Sequence, residues 1–185
     1  MLIVGLNHKT TPIEIREKFF LNHPQQDLLL LELKNHPSIS EAFVLSTCNR
    51  VEVYLKRSDS SVNTKFVLDL IAKVKKINFE SSDTEHVYTF ENLDAIDHLL
   101  KVACSLDSLV LGEKQIIGQV KAAIDRAREL GLLSRYFNVL SNVVIRAGKK
   151  AQSETDISCG GSSISWAAIE MAKQQLGTLK DKSVL

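Results

Sequence analysis

Glu41-Ala-Phe-Val-Leu-Ser-Thr-Cys-Asn-Arg-Val-Glu-Val-Tyr-Leu-Lys56 is the stretch that decides the fold. Its two β-prone runs, Glu41 to Ser46 and Val51 to Lys56, are joined by four polar residues, Thr47, Cys48, Asn49 and Arg50, which is the pattern of a hairpin. Within the second run Val51, Val53 and Leu55 alternate with Glu52, Tyr54 and Lys56, a period of two that predicts a half-buried strand.

On the N-terminal side, Leu2 to Leu6 reads as a short buried strand. Thr10-Thr11-Pro12 offers a helix cap with proline in the first turn, leading into Ile13 to Phe20. Asn22-His23-Pro24 restarts a helix that turns Leu28, Leu31 and Leu33 inward and ends near Asn35-His36-Pro37. On the C-terminal side, residues 60–77 have helical spacing through Phe66, Leu68, Leu70 and Val74, and His86 to Phe90 is a further strand. The order strand, helices, strand, strand, helix, strand predicts an α+β fold with a ferredoxin-like split βαββαβ antiparallel sheet.

Additional helices follow. Pro12, Pro24 and Pro37 are the only prolines, so nothing after them obliges a helix to break. Helices are expected from Asn92 (Leu93, Ile96, Leu100, Ala103 inward), over Glu113 to Leu130, from Ser134 to about Ser153, and over Ser162 to Leu176. Gly131 and Gly148 read as punctuation, the first as a C-cap, and Gly177 closes the last helix. Lys180-Asp181-Lys182 then leads into Ser183-Val184-Leu185, which reads as the opening of another buried strand cut short.

The 185 residues suit one domain with a linker, and 44% hydrophobic with 24% charged residues implies a packed core rather than disorder. A net charge of +1 argues against strong nonspecific attraction to nucleic acid, but residues 114–150 carry eight basic residues against two acidic ones. Their charge fits a polyanion or a solvated helix face. Cys48, Cys104 and Cys159 form no Cys-x-x-Cys pair, which suggests reduced thiols and no zinc. The N-terminus lacks a basic region and a long apolar run, and no stretch approaches a membrane span, so a cytoplasmic location without membrane contact is expected.

Cys48 sits in the polar connection between two apolar strands, where a sheet holds a side chain firmly and Arg50 would favour the thiolate. It reads as a thiol nucleophile or as a structural cysteine; Cys104 and Cys159 read as structural. His98 at helical spacing is structural or an acid/base group oriented by Asp94 one turn earlier. Arg50 is either a carboxylate clamp or an exposed hairpin-tip arginine, and Glu113 and Gln119 could be helix-start and solvent-face residues.

Three motifs carry a resemblance. Gly5-Leu6-Asn7-His8-Lys9-Thr10-Thr11-Pro12, Leu45-Ser46-Thr47-Cys48-Asn49-Arg50-Val51-Glu52-Val53-Tyr54, and Ser105-Leu106-Asp107-Ser108-Leu109-Val110-Leu111-Gly112-Glu113-Lys114-Gln115-Ile116-Ile117-Gly118-Gln119 closely resemble the glutamyl-tRNA reductase family. Gly148-Lys149-Lys150 and Glu154-Thr155-Asp156-Ile157-Ser158 continue the match over essentially the whole chain. Two departures are mild: Cys104-Ser105 stands where the family often has Ser-Gly, and Lys114 where proline is common.

The resemblance implies an NADPH-dependent oxidoreductase of tetrapyrrole (haem, porphyrin) biosynthesis. It would take glutamate from glutamyl-tRNA onto Cys48 as a thioester and reduce that to glutamate-1-semialdehyde. It implies Cys48 and His98 as catalytic residues, and Thr47, Asn49, Arg50, Ser108, Glu113, Lys114, Gln115 and Gln119 as substrate-binding residues; His8 lines the same site. It implies a catalytic domain over 1–153, a connecting helix region over 154–182, and the first residues of an NADPH domain at 183–185. A homodimer formed through a further domain and a channelling partner, glutamate-1-semialdehyde aminomutase, are also implied. The eight glycines contain no Gly-x-Gly, so the dinucleotide fingerprint is absent from this chain and no cofactor or metal site is expected in it. A noncatalytic tRNA- or protein-binding module and a thiol esterase are the competing readings.

Overall fold

A computed structural model of the chain describes residues 1–158 and 164–179. Cys159 and residues 183–185, for which the sequence carries expectations, lie outside the described residues. The four strands are β1 (Leu2–Asn7), β2 (Ile39–Ser46), β3 (Arg50–Arg57) and β4 (Tyr88–Glu91). They form one antiparallel sheet in the order β2-β3-β1-β4. Between β1 and β2 lie α1 (Ile13–Phe19) and α2 (His23–Lys34); between β3 and β4 lie α3 (Thr64–Lys75) and the short α4 (Ser81–Thr84). After the sheet come α5 (Asn92–Ala103), α6 (Gln115–Glu129), α7 (Arg135–Glu154), a 3-10 turn at Asp156–Ser158, and α8 (Ile164–Leu176). The expected ferredoxin-like α+β sheet followed by helices is the fold the chain adopts.

Strand pairing sorts the side chains into two faces. Val4, Val53 and Val44 lie opposite one another in one row, and the neighbouring row holds Ile3, Tyr54 and Phe43. The first row faces the layer of α1–α3. The second faces the layer of α5–α7: Phe43 stacks on Tyr54 at 4.2 Å and meets Phe137 of α7 edge-on at 5.2 Å. This second layer corrects the expectation of a half-buried β3. Glu52 and Tyr54 are as buried as the valines beside them, because helices cover the face that the alternation suggested was wet.

The helix starts follow from their caps. Asn22 and Gln25 form a reciprocal capping box at α2, each side chain accepting from the other's backbone N–H at 3.0 Å, with Pro24 in the first turn. Asn63 caps α3 through Phe66 N–H. At α1 the cap position is Pro12 itself and no side chain caps it; the Thr10 hydroxyl meets Thr11 Oγ1 and the His86 carbonyl instead. In α2 the buried stripe is Gln26, Leu29, Leu30 and Leu33, so of the three inward leucines expected only Leu33 is buried, and Leu28 and Leu31 face solvent. In α5 the inward side carries Ala95, His98, Leu99, Val102 and Ala103, while Leu93 is exposed.

Gly131 ends the α6 segment at φ +71°, and Gly177 follows α8 at φ +72°, both left-handed as expected of C-terminal glycines. Gly148 is no punctuation. It lies buried inside α7, where a Cβ would stand 2.6 Å from the Ala103 carbonyl oxygen and 2.7 Å from Ile117 Cδ1, so α7 and the end of α5 touch backbone to backbone.

At the β2 edge of the sheet, Ala42 N–H donates to the Leu132 carbonyl at 3.1 Å. Lys34 Nζ reaches the Leu130 carbonyl at 2.7 Å, and Arg126 pairs with Asp27 at 2.5 Å. The buried Glu41 carboxylate accepts from the N–H groups of Ser134, Tyr136 and Phe137, so a strand residue supplies the anion that the N-terminus of α7 favours.

Candidate active site

The β2–β3 turn is built by its own side chains. Thr47 N–H donates to the Arg50 carbonyl at 2.8 Å, and Thr47 Oγ1 accepts from the N–H groups of Asn49 and Arg50, both at 3.2 Å. The Asn49 carbonyl accepts from His8 N–H at 2.9 Å, which ties the turn to the end of β1. Cys48 stands at the apex with its side chain exposed.

Beneath the turn the β3 face carries a buried charge cluster. Arg50, 1% exposed, donates from Nη1 to Glu52 Oε1 at 3.0 Å and from Nη2 to the Asp107 carbonyl at 2.5 Å; the same Nη2 lies 3.1 Å from Asp107 Oδ2. It is therefore not an exposed hairpin-tip residue. Glu52 also meets Tyr88 Oη at 2.5 Å, His98 Nε2 at 2.7 Å, and Tyr54 Oη. Burial alone would push the Glu52 carboxyl up, but the Arg50 guanidinium, His98 and Tyr54 hold it down to about 2. The same carboxylate, added to their burial, pushes the Tyr54 and Tyr88 phenols well above their ordinary value, so both remain donors.

His98 is oriented by Glu52 and not by Asp94, which lies on the exposed side of α5. Its ring stacks on Phe90 at 4.7 Å and meets Tyr88 edge-on at 5.4 Å, and it joins the cluster through Glu52 and Tyr88. His98 thus stands beneath the turn as a member of this buried network.

The loop between α5 and α6 is latched to the turn by Asp107. Besides Arg50, its carboxylate receives Asn7 Nδ2 at 3.1 Å and Lys9 Nζ at 2.6 Å. Burial raises the Asp107 carboxyl, and Lys9 and Arg50 more than offset this, holding it below the usual carboxylate range. Ser105 at φ +61° and Gly112 at φ +78° fold the loop back, with Ser105 Oγ donating to the Glu113 carbonyl at 2.7 Å. Ser108 arrives beside Asp107 with a buried hydroxyl that has no protein partner, and His8 Nδ1 is likewise buried without one. Burial and the Arg50 charge lower the His8 pKa and favour its neutral ring.

Of the other expected substrate residues, Gln119 and Thr47 line a single cleft of about 620 Å³ between β2, α6 and the start of α2, together with Ser46, His23, Gln26 and Arg126. Glu113, Lys114 and Gln115 stand at the entrance to α6 and are not in that lining; Glu113 precedes the helix rather than occupying its first turn. Of the basic span, Arg126 turns to Asp27 and His23, while Lys121, Arg128, Arg146 and Lys149 line a different groove between α6 and α7.

Sequence reasoning assigned no part in the site to Glu52, Tyr54, Tyr88 or Asp107. One signal was available: Arg50 and Glu52 are separated by two on a strand, hence on one face, and an acid between valines suggests a buried partner. Cys104 caps the end of α5 half-buried, and burial raises its thiol pKa, in line with a structural cysteine.

Fold and site define a class: a ferredoxin-like α+β domain that presents one exposed thiol on a turn braced by a buried arginine–carboxylate cluster. The family model for the glutamyl-tRNAGlu reductase N-terminal domain matches residues 4–155. Glutamyl-tRNA reductase of Pelotomaculum thermopropionicum is 39% identical over 185 residues, covering 100% of this chain and 41% of the relative. That of Synechococcus sp. is 40% identical over 182 residues, covering 98% and 42%. A solved structure, glutamyl-tRNA reductase from Methanopyrus kandleri, superposes with a TM-score of 0.72 at 32% identity, covering 98% of this chain and 41% of that one. The chain belongs to the glutamyl-tRNA reductase N-terminal domain family, and it spans about two fifths of the length of the relatives it matches.

Proposed function

We propose that this chain is the acyl-accepting part of an NADPH-dependent glutamyl-tRNA reductase in tetrapyrrole biosynthesis. The observation that carries the reading is the exposed Cys48 at the apex of a turn whose backbone is fixed by Thr47 and whose base is braced by Arg50. The Cys48 thiolate attacks the ester carbonyl of glutamyl-tRNA, a carbon–sulfur bond forms, and the ester carbon–oxygen bond breaks. The terminal ribose oxygen leaves and takes up the proton that the thiol gave. A nicotinamide cofactor held outside these residues would supply the hydride that turns the thioester into glutamate-1-semialdehyde and frees the thiol.

Thr47, Asn49 and Arg50 around the thiol, and Ser108, Glu113, Lys114, Gln115 and Gln119 beyond it, form the proposed substrate set. The unpartnered Ser108 hydroxyl and His8 Nδ1 are polar atoms left for a bound glutamyl group. His98 acts as a positioning residue, holding Glu52 and through it Arg50. The described residues offer no Gly-rich strand-to-helix turn and do not fit a dinucleotide, so no step here is derived through NADPH. In this reading 1–153 is the catalytic domain, 154–182 the connecting helix, and the NADPH and dimerisation domains belong to sequence outside this chain. Partnership with the aminomutase and a cytoplasmic location complete the proposal.

The test is incubation with glutamyl-tRNA labelled on the glutamate, followed by intact-mass measurement. A glutamyl adduct on Cys48, absent in Cys48→Ser, is expected. A missing adduct on the parent chain, or an undiminished one in the variant, refutes the reading. Reaction with small glutamyl esters without tRNA would mark a thiol esterase instead, and tRNA binding without acyl transfer a binding module.

A further inference from the structure

Between α6 and α7 runs a groove of about 430 Å³ whose walls carry Lys121 and Arg128 from α6 and Arg146 and Lys149 from α7. All four are exposed at their tips, and the one carboxylate in the lining is Asp125, which pairs with Lys121 at 3.8 Å and with Arg128. Among the described residues no carboxylate lies within ion-pair distance of Arg146 or Lys149. Four cations held around one anion repel one another, and an external polyanion relieves that repulsion.

The cations are strung out rather than focused on a point. Lys121 and Arg128 are two helical turns apart, about 10 Å along the axis, which matches roughly three successive phosphates of a nucleic-acid strand. Ile124 and Ile145 also line the groove, so the charge stands on its walls. Asp125 is shared: it also lines the cleft that holds Thr47 and Gln119. The groove therefore adjoins the cleft beside the reactive turn.

We propose that the α6–α7 groove binds the sugar–phosphate backbone of the RNA whose aminoacylated end reaches Cys48. This inference rests on the reading of glutamyl-tRNA as substrate and names the surface that carries the polymer. Asp125 tempers the attraction, so that the RNA is held but released after transfer.

Binding of dye-labelled, uncharged tRNA to this chain is followed by anisotropy over a series of salt concentrations. The double variant Arg146→Gln/Lys149→Gln should lower the slope of log affinity against log salt by about two. A fourfold rise in salt then costs it about tenfold less affinity than it costs the parent. Asp125→Asn should bind more tightly than the parent at low salt. Lys65→Gln/Lys73→Gln, which removes as many charges from α3 on the opposite face, should leave the slope unchanged. A double variant with the parental slope, an equal effect of the α3 control, or no binding by the parent overturns the proposal. The adduct assay separates this from the acyl reading. Groove-dependent tRNA binding without a Cys48 adduct refutes acyl transfer and leaves the groove, whereas a normal adduct with groove-independent affinity does the reverse.

Discussion

Glu52→Gln tests the buried cluster, because it changes one charge and almost no volume. In the folded chain the carboxylate accepts from Arg50, His98, Tyr54 and Tyr88, so every partner is a donor. A glutamine would put its own N–H₂ among them and leave Arg50 with Asp107 alone. Breaking a buried pair in this way costs about 3–5 kcal/mol. The titration of Glu52 gives a similar size: a carboxyl held at about 2 instead of 4.5 corresponds to about 3 kcal/mol. The sign follows from the folded value lying below the unfolded one. The stabilisation is complete above about pH 5 and is lost as the pH falls through 4.5 toward 2. Urea unfolding followed by circular dichroism should show the variant about 3 kcal/mol less stable than the parent at pH 7, with the gap narrowing to about 1 kcal/mol near pH 3. Equal stability at pH 7, or a gap indifferent to pH, refutes the idea that an ionised Glu52 holds the network.

Two further substitutions probe the packing that carries the site. Gly148→Ala places a methyl group against the Ala103 carbonyl and should cost about 1–3 kcal/mol, lowering Tm by several degrees in a thermal scan; an unchanged Tm would mean that α5 and α7 do not meet there. Glu41→Ala removes the acceptor for three backbone N–H groups at the start of α7 and should cost about 1–3 kcal/mol by urea midpoint; a cost below 0.5 kcal/mol would show that the helix start needs no anion.

The architecture was legible in the sequence because it rests on local signals. The hairpin at Thr47–Arg50, the helix start at Asn22-His23-Pro24 and the glycine after α6 each act within a few residues. The environment of the site was less legible because it depends on the second helical layer. The alternation in β3 marks two faces, but whether the polar face is wet depends on α5–α7, more than 35 residues further on. So Glu52 and Tyr54 read as surface residues, and Asp94 as the orienting acid for His98, when the true partner is Glu52 on another element. Gly148 misled for a related reason: a glycine required by a neighbouring helix looks in sequence like one that ends its own. The motif around Cys48 was recognisable in full, while the bracing role of Asp107 needed coordinates, since it joins β1, β3 and a loop about 100 residues from Asn7.

The closure of the β2 edge also bears on how copies of the chain behave when crowded. An open sheet invites strand-to-strand addition at its two edges, the first step toward fibrils. Here β4 is four residues long, and β2 is occupied at Ala42 by the Leu132 carbonyl, while Lys34–Leu130 and Arg126–Asp27 tie α2 to the α6 segment that lies along it. The end of β2, Val44 to Ser46, lines the cleft beside Thr47. A strand added at that end would have to enter the cleft beside the reactive turn, so a contact that shields the sheet edge and a contact that blocks the site would fall in the same place.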